Sequence, residues 1–324
     1  MGIRVKSPGL LTTVQDTGRF GEYALGMPPS GAMDVFSYQV GNYLVGNEEG
    51  AASLEITYFG PELEFTEGAV IAVTGAEMPP KINGEEAPTW ETLEVGEGDV
   101  LSFDYLKSGA RSYLAVAGGI DVPLFMHSRS TYTLIGLGGH EGRALQEGDE
   151  LKIVESRNGG GQVGKRVDDD HIPAYSRETE LRVIIGLASY RLTEESREEF
   201  LNTTWTVTPD ADRVGYRYRG GELKFVEREQ PAGAGSDPAN VVDFGYPIGS
   251  IQVPGGVEPI VLMNDAVTGG GYATIGTVIS ADSDKLAQTK TNDKTRFRSV
   301  DLDEALKARK DRGEQMEEIK GSLT

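Results

Sequence analysis

Residues 131–153 read TYTLIGLGGHEGRALQEGDELKI, and residues 272–297 read YATIGTVISADSDKLAQTKTNDKTRF. In each, a glycine-rich entry leads to a strand-like run, a turn, an element carrying Ala, Leu and Gln, an acidic turn and a closing run. A second pair lies in the same order: YFGPELEF at 58–65 is matched by YRGGELKF at 218–225. Two matched segments in matched order indicate an internal duplication, so the economical reading is two barrel-like domains of similar topology. Chance likeness between glycine-rich β segments is the competing reading.

Working outward, the chain is dominated by short alternating runs bounded by Gly, Pro, Asn and Asp. PELEF (61–65), AVIAVTG (69–75), DVLSFDYL (99–106), RSYLAVAGG (111–119), LRVIIG (181–186), TWTVTP (204–209), EPIVLMND (258–265) and YATIGTVIS (272–280) all predict strands. The 43 glycines in 324 residues, about twice the usual share, supply turns and close backbone approaches. Helices are few. Phe36, Val40 and Leu44 are spaced as one helical face from Asp34 to Gly46, and Thr193 precedes two glutamates as an N-cap would. Asp301 and Glu304 have capping-box spacing, with an apolar stripe of Leu302, Ala305 and Leu306 and a frayed end after Gly313. The segment 155–180 joins a glycine run to a charge block and reads as a break. The expected organisation is an N-terminal barrel at 1–155, a linker at 156–180, a C-terminal barrel at 181–300, and a helix and tail at 301–324.

A formal charge of -20 repels phosphate backbones and anionic lipid, which argues against nucleic acid and membrane as partners. The absence of cysteine removes thiol nucleophiles, disulfides and cysteine metal sites. His127, His140 and His171 have no ligand spacing, so no metal is expected. No phosphate-loop, H-E-x-x-H or G-x-S-x-G sequence is present, nor a biotinyl-lysine sequence. The N-terminus lacks an apolar leader, which makes a cytoplasmic location the default.

Three stretches gather polar chemistry. In DADRVGYRYRGG, Arg217 and Arg219 share a strand face and, with Arg213, could hold an anion; an ion-paired or solvated face is the alternative. In 250–272, Asp265 ends the apolar run PIVLM and precedes Thr268, three glycines and Tyr272, which suits proton transfer or orientation of a polar substrate; a capped glycine hairpin is the alternative. Gly118 to Leu151 reads as a barrel rim, with a ligand cradle at Arg129, Ser130 and Thr131 and His140 as a surface turn residue.

GLLTTVQDTGRFG (9–21), SGAMD (30–34), LVGN (44–47), LEIT (54–57), VTGAE (73–77), YLAVAGGIDVP (113–123), SRSTY (128–132), GRALQEGDEL (142–151), DADRVGYR (210–217), IQVP (251–254) and GGGYATIGTVISAD (269–282) together resemble the allophanate hydrolase subunit 2 family. This is also known as the biotin-dependent carboxyltransferase or KipA-like family, and it includes the 5-oxoprolinase C subunit. The resemblance covers nearly the whole chain and implies a mainly β fold of two cyclophilin-like barrels with a few short helices. It implies a subunit of an ATP-dependent 5-oxoprolinase, working with a KipI-like B subunit plus a LamB/YcsF-like A subunit on a small lactam or amide. Two other readings keep the fold: a urea-type carboxyltransferase receiving carboxybiotin from another chain, and a non-enzymatic antagonist of a kinase inhibitor. ATP would act at the level of the complex. The expected site comprises Asp265 and Tyr272 as catalytic groups, Arg129 and Arg213 as anion holders, Ser130, Gln252 and Thr268 as polar contacts, and Asp34 as a helix-start carboxylate. Ala211 and Ala273 depart from the serine and proline common in the family.

Overall fold

The alternating runs become strands, each with its apolar side chains inward. PELEF gives Glu62–Phe65, in which Leu63 and Phe65 are buried and both glutamates are half-buried. AVIAVTG gives Ala69–Glu77, RSYLAVAGG lies in Ser108–Val116, and LRVIIG, TWTVTP, EPIVLMND and YATIGTVIS supply Glu178–Ile185, Trp205–Ala211, Ile260–Leu262 and Thr274–Val278. The computed structural model describes residues 2–155, 161–230 and 232–323. The chain divides into two units, Met1–Arg19 with Ser30–Tyr175 and Gly313–Thr324, and Phe20–Pro29 with Ser176–Arg312.

The first unit is built from two antiparallel sheets. One has seven strands in the order Ile120–Asp121, Glu150–Ile153, Gly2–Ser7, Glu62–Phe65, Val100–Phe103, Pro80–Ile82 and Glu85–Glu86. The other has five, Leu11–Gln15, Ser53–Thr57, Ser108–Val116, Ala69–Glu77 and Thr92–Val95. Ile3, Val5, Leu63 and Phe65 of the first sheet share one core with Leu54, Ile56, Ile71, Val73, Leu114 and Val116 of the second. The period of two then turns Ala72 and Ala115 to the opposite face of the five-stranded sheet. There they meet helix α1 (Val35–Leu44) through Phe36, Val40 and Leu44, the stripe read from the sequence. Gly41 allows this approach, since a Cβ there would stand 3.1 Å from Thr74 Oγ1 and 3.3 Å from Ala115 Cβ.

The second unit holds a closed barrel, ordered Glu178–Ile185, Thr274–Val278, Ser250–Gln252, Ile260–Leu262, Gly215–Arg219, Trp205–Ala211 and Lys294–Ser299. Glu178–Ile185 and Lys294–Ser299 pair in parallel; the other pairs are antiparallel. Helix α2 (Glu194–Asn202) starts at Thr193, whose hydroxyl accepts from Ser196 N, and places Phe200 against Phe297 in a stack at 4.7 Å. A short helix, α3 (Ser283–Ala287), and a two-stranded ribbon of Asn240–Gly245 with Gly269–Tyr272 complete the barrel unit, together with the start of helix α4 (Leu302–Leu323).

Four sequence expectations change. Residues after Gly313 are not frayed: α4 runs to Leu323, and Met316, Ile319 and Leu323 are buried beside α1 because their spacing forms a helical face. The buried stripe at its start is Ala305 and Ala308, while Leu302 and Leu306 are exposed. Within 156–180, residues 161–175 belong to the first unit and Glu178 already opens a barrel strand; 156–160 lie outside the described residues. Residues 132–137 form a tight turn closed by the Tyr132–Leu137 bridge, whereas the matching run at 274–278 is a strand. The acidic turns of the repeat do correspond: Gln146 N donates to Asp149 and Lys290 N to Asp293, at 2.8 and 3.0 Å.

Candidate functional site

In the barrel unit, antiparallel pairing of Gly215 with Leu262 brings the residues beyond these strand ends together. Asp265 N donates to the Arg213 carbonyl at 2.8 Å. Arg213 Nε and Nη2 donate to Asp265 Oδ2 and Oδ1 at 2.8 and 3.2 Å, and both side chains are at most 4% exposed. A guanidinium fork matched to a carboxylate is a strong, directional pair. Arg213 therefore faces Asp265 rather than an incoming anion, and it does not cluster with Arg217 and Arg219, which are exposed and alternate along the strand with the buried Tyr216 and Tyr218.

Gln252, Thr268 and Tyr272 meet around Tyr246, a residue that no pattern in the sequence singles out. Tyr246 Oη donates to the Tyr272 carbonyl at 2.8 Å and accepts from Tyr272 N at 2.7 Å, while Tyr246 N donates to the Thr268 carbonyl at 2.9 Å. Burial raises the pKa of the Tyr246 hydroxyl, against hydrogen bonds from Tyr272 N and Gln252. Gly270 makes room for its ring, which a Cβ would approach to 3.0 Å. The ribbon is thus pinned so that the Tyr272 phenol, on a residue 43% exposed, projects from it. Gln252 is in register with Ile260, at the end of its strand opposite Asp265. The Tyr246 ring packs on Leu262 and Ala266 and so links the two groups.

The remaining three candidates lie in the first unit. Asp34 caps α1, accepting from Ser37 N at 3.0 Å and Ser37 Oγ at 2.6 Å. Its own N–H donates to Tyr113 Oη, which donates in turn to Glu55 Oε2 at 2.7 Å. Glu55 also accepts from Met33 N and lies 3.8 Å from Arg111 Nε, with both charged side chains at most 2% exposed. Burial, then the charges of Glu55 and Asp34, push the Tyr113 hydroxyl well above its ordinary pKa, so it stays a donor. The signal for this group was in the sequence: Glu55, Arg111 and Tyr113 are polar positions within apolar strand runs.

Ser130 is fully buried and its hydroxyl donates to Asp16 Oδ1 at 2.5 Å, beside Ser128 Oγ at 2.7 Å and Gly18 N at 2.8 Å. The expected cradle at Arg129 to Thr131 is therefore closed inward, with Thr131 Oγ1 donating to the Val14 carbonyl at 2.9 Å and the Arg19 guanidinium on the Ser130 carbonyl. Arg129 keeps a partly exposed guanidinium, with Nε donating to the Val122 carbonyl at 3.1 Å. His140 is half-buried, 3.5 Å from Asp149. Among the described residues no group of three or more His, Asp or Glu side chains is placed to hold a metal ion, and no helix is long and apolar enough to cross a membrane.

Residues 25–299 match the model of the carboxyltransferase domain, subdomains A and B. The chain belongs to this carboxyltransferase-domain family. All eight candidate residues fall inside the matched range. It is 35% identical over 318 residues to the 5-oxoprolinase C subunit of Escherichia coli, covering 98% of this chain and 97% of that protein. It is also 34% identical over 302 residues to urea amidolyase of Saccharomyces cerevisiae, of which the match spans only 16%. The crystal structure of Kluyveromyces lactis urea carboxylase superposes with a TM-score of 0.92 at 32% identity, covering all of this carboxyltransferase-domain chain and 30% of the other.

Proposed function

We propose that this chain is the C subunit of an ATP-dependent 5-oxoprolinase, which opens the 5-oxoproline lactam to glutamate with a KipI-like B subunit plus a LamB/YcsF-like A subunit. The observation that carries this reading is the nearly end-to-end match to the 5-oxoprolinase C subunit. Opening the lactam adds water across the ring C–N bond: the carbonyl carbon gains the oxygen, and the nitrogen leaves as an amine after taking a proton. Tyr272 is the proton-bearing group best placed on this chain, because its phenol is exposed while its backbone is pinned by Tyr246. Asp265, fixed by Arg213, orients the loop that leads into the same ribbon. The chain has no phosphate loop, and this reading places ATP at the level of the complex.

A second reading is favoured by the family description and by the urea carboxylase structure. In it, carboxybiotin on a separate carrier would donate CO2 to a urea-like nitrogen, and Tyr272 would handle the acceptor's proton. The two readings are separated by product. With its neighbouring subunits, the chain should yield glutamate from 5-oxoproline and ATP, whereas carboxylation of urea from carboxybiotin would support the second and contradict the first.

A further inference from the structure

The barrel unit also carries two arginines converging on one phenol, apart from the groups above. Tyr190 lies in the single turn Ser189–Arg191 and is 62% exposed, while Arg191 beside it is 5% exposed. Arg191 Nη1 donates to the carbonyl of Asn240, the register partner of Tyr272 on the ribbon. Val226 N donates to the Arg191 carbonyl at 2.8 Å and Leu192 bridges Phe225, which ties the segment bearing Arg228 to the same turn. The guanidinium groups of Arg191, then Arg228, act on the Tyr190 hydroxyl and together lower its pKa.

Neither arginine makes an ion pair with a carboxylate among the described residues, on a chain of formal charge -20. Arg228 Nε is buried without a hydrogen-bond partner among those residues. Two positions on, Gln230 donates Nε2 to the Asp237 carbonyl at 3.1 Å while its Oε1 is buried and unpartnered. A buried charged donor lacking an acceptor calls for an explanation, and a bound anion is one. Planar guanidinium forks suit carboxylates and phosphates alike. Here Glu227 and Glu229, both exposed, flank Arg228 and disfavour a dianion relative to a monoanion.

We propose that Arg191, Arg228 and Tyr190 bind the carboxylate of a small-molecule substrate, the guanidinium groups holding its oxygens and the phenol donating to one of them. The proposal rests on the lactamase reading only in naming that substrate as 5-oxoproline. Held there, the molecule lies beside the ribbon that presents Tyr272.

The test is a titration of the purified full chain, its tyrosines labelled with 13C and Tyr190→Phe used to assign the signal. The probes are 5-oxoproline, its uncharged carboxamide, acetate and inorganic phosphate. Expected are shifts of the Tyr190 signal by 5-oxoproline and acetate, which compete, none by the carboxamide, and phosphate binding weaker by about tenfold or more. Arg228→Gln should weaken 5-oxoproline binding about 10- to 100-fold, the loss of a hydrogen bond to a charged group, and Arg228→Lys should weaken it less. Equal binding of acid and carboxamide, an Arg228→Gln affinity equal to the parent's, or no Tyr190 shift with any carboxylate would overturn the site. A shift with acetate but none with 5-oxoproline would overturn the substrate assignment. Glutamate formed by the assembled complex with an unchanged KM in Arg228→Gln refutes this site and leaves the lactamase reading standing. An intact Tyr190 shift without any glutamate does the reverse.

Discussion

Asp265 and Arg213 hold each other in a two-pronged ion pair in which both side chains are buried. Removing one partner leaves the other charged and buried, which typically costs about 3–5 kcal/mol, whereas replacing both with apolar groups is often close to neutral. Asp265→Asn is therefore expected to lower unfolding free energy in urea by about 3 kcal/mol, with Arg213→Met/Asp265→Leu recovering most of it. Unfolding of Asp265→Asn at the parent midpoint would refute the pair's structural role. Any activity lost in that variant has to be compared with the fold it loses. Each partner was legible alone, one after an apolar run and one before a strand. Their pairing was not, because it depends on register between strands that lie far apart in the chain. The same reason hid the Asp16 anchor of Ser130, while the buried Glu55–Arg111 pair left a visible trace as charge inside apolar runs.

At the scale of elements, local rules carried well and distant packing did not. Caps at Asp34, Thr193 and Asp301 form as the sequence indicates, the last through Glu304 N to Asp301 Oδ1 at 2.8 Å. The end of α4 was misread because Gly313 and the charged run around it suggest fraying, whereas burial of Met316, Ile319 and Leu323 overrides that propensity. Ile319→Ala should destabilise the protein by about 2–4 kcal/mol in urea unfolding, and a change below measurement error would show that this end contributes no packing. The turn Gln146 to Asp149 gives a pH signature. Arg143 chiefly lowers the Asp149 pKa from 3.8 to about 2, with Gln146 N also bonded to the carboxylate. A carboxylate depressed in the folded state stabilises fully above its unfolded pKa, and that contribution disappears as pH falls through the folded value. Stability attributable to Asp149 should thus decline between about pH 4 and about pH 2. Asp149→Asn should be less stable than the parent at about pH 6 and converge with it near pH 2, as read by thermal unfolding at each pH. A constant difference across that window would contradict the assignment.

For the whole molecule, the matched segments led to two β-rich halves, and the structure has two units, one with a closed barrel and one with two sheets about a common core. The boundaries eluded the sequence because residues 20–29 and 313–324 lie with the unit that is distant in chain order. Chemistry was legible mainly through family likeness, since Asp34, Ser130, Arg213 and Asp265 are buried and bonded to protein groups, while of the eight Tyr272 is exposed and Arg129 and Thr268 are half-buried. The central claim is that the chain is required for lactam opening. The most direct measurement is glutamate formation from 5-oxoproline and ATP by this chain purified with the proposed KipI-like and LamB/YcsF-like partner subunits, compared with the same preparation lacking it and with one carrying Tyr272→Phe. The account predicts glutamate only when the chain is present and a kcat reduced about 100-fold or more by Tyr272→Phe, the scale of a lost general acid. Equal glutamate without the chain, or none with it, would contradict the account.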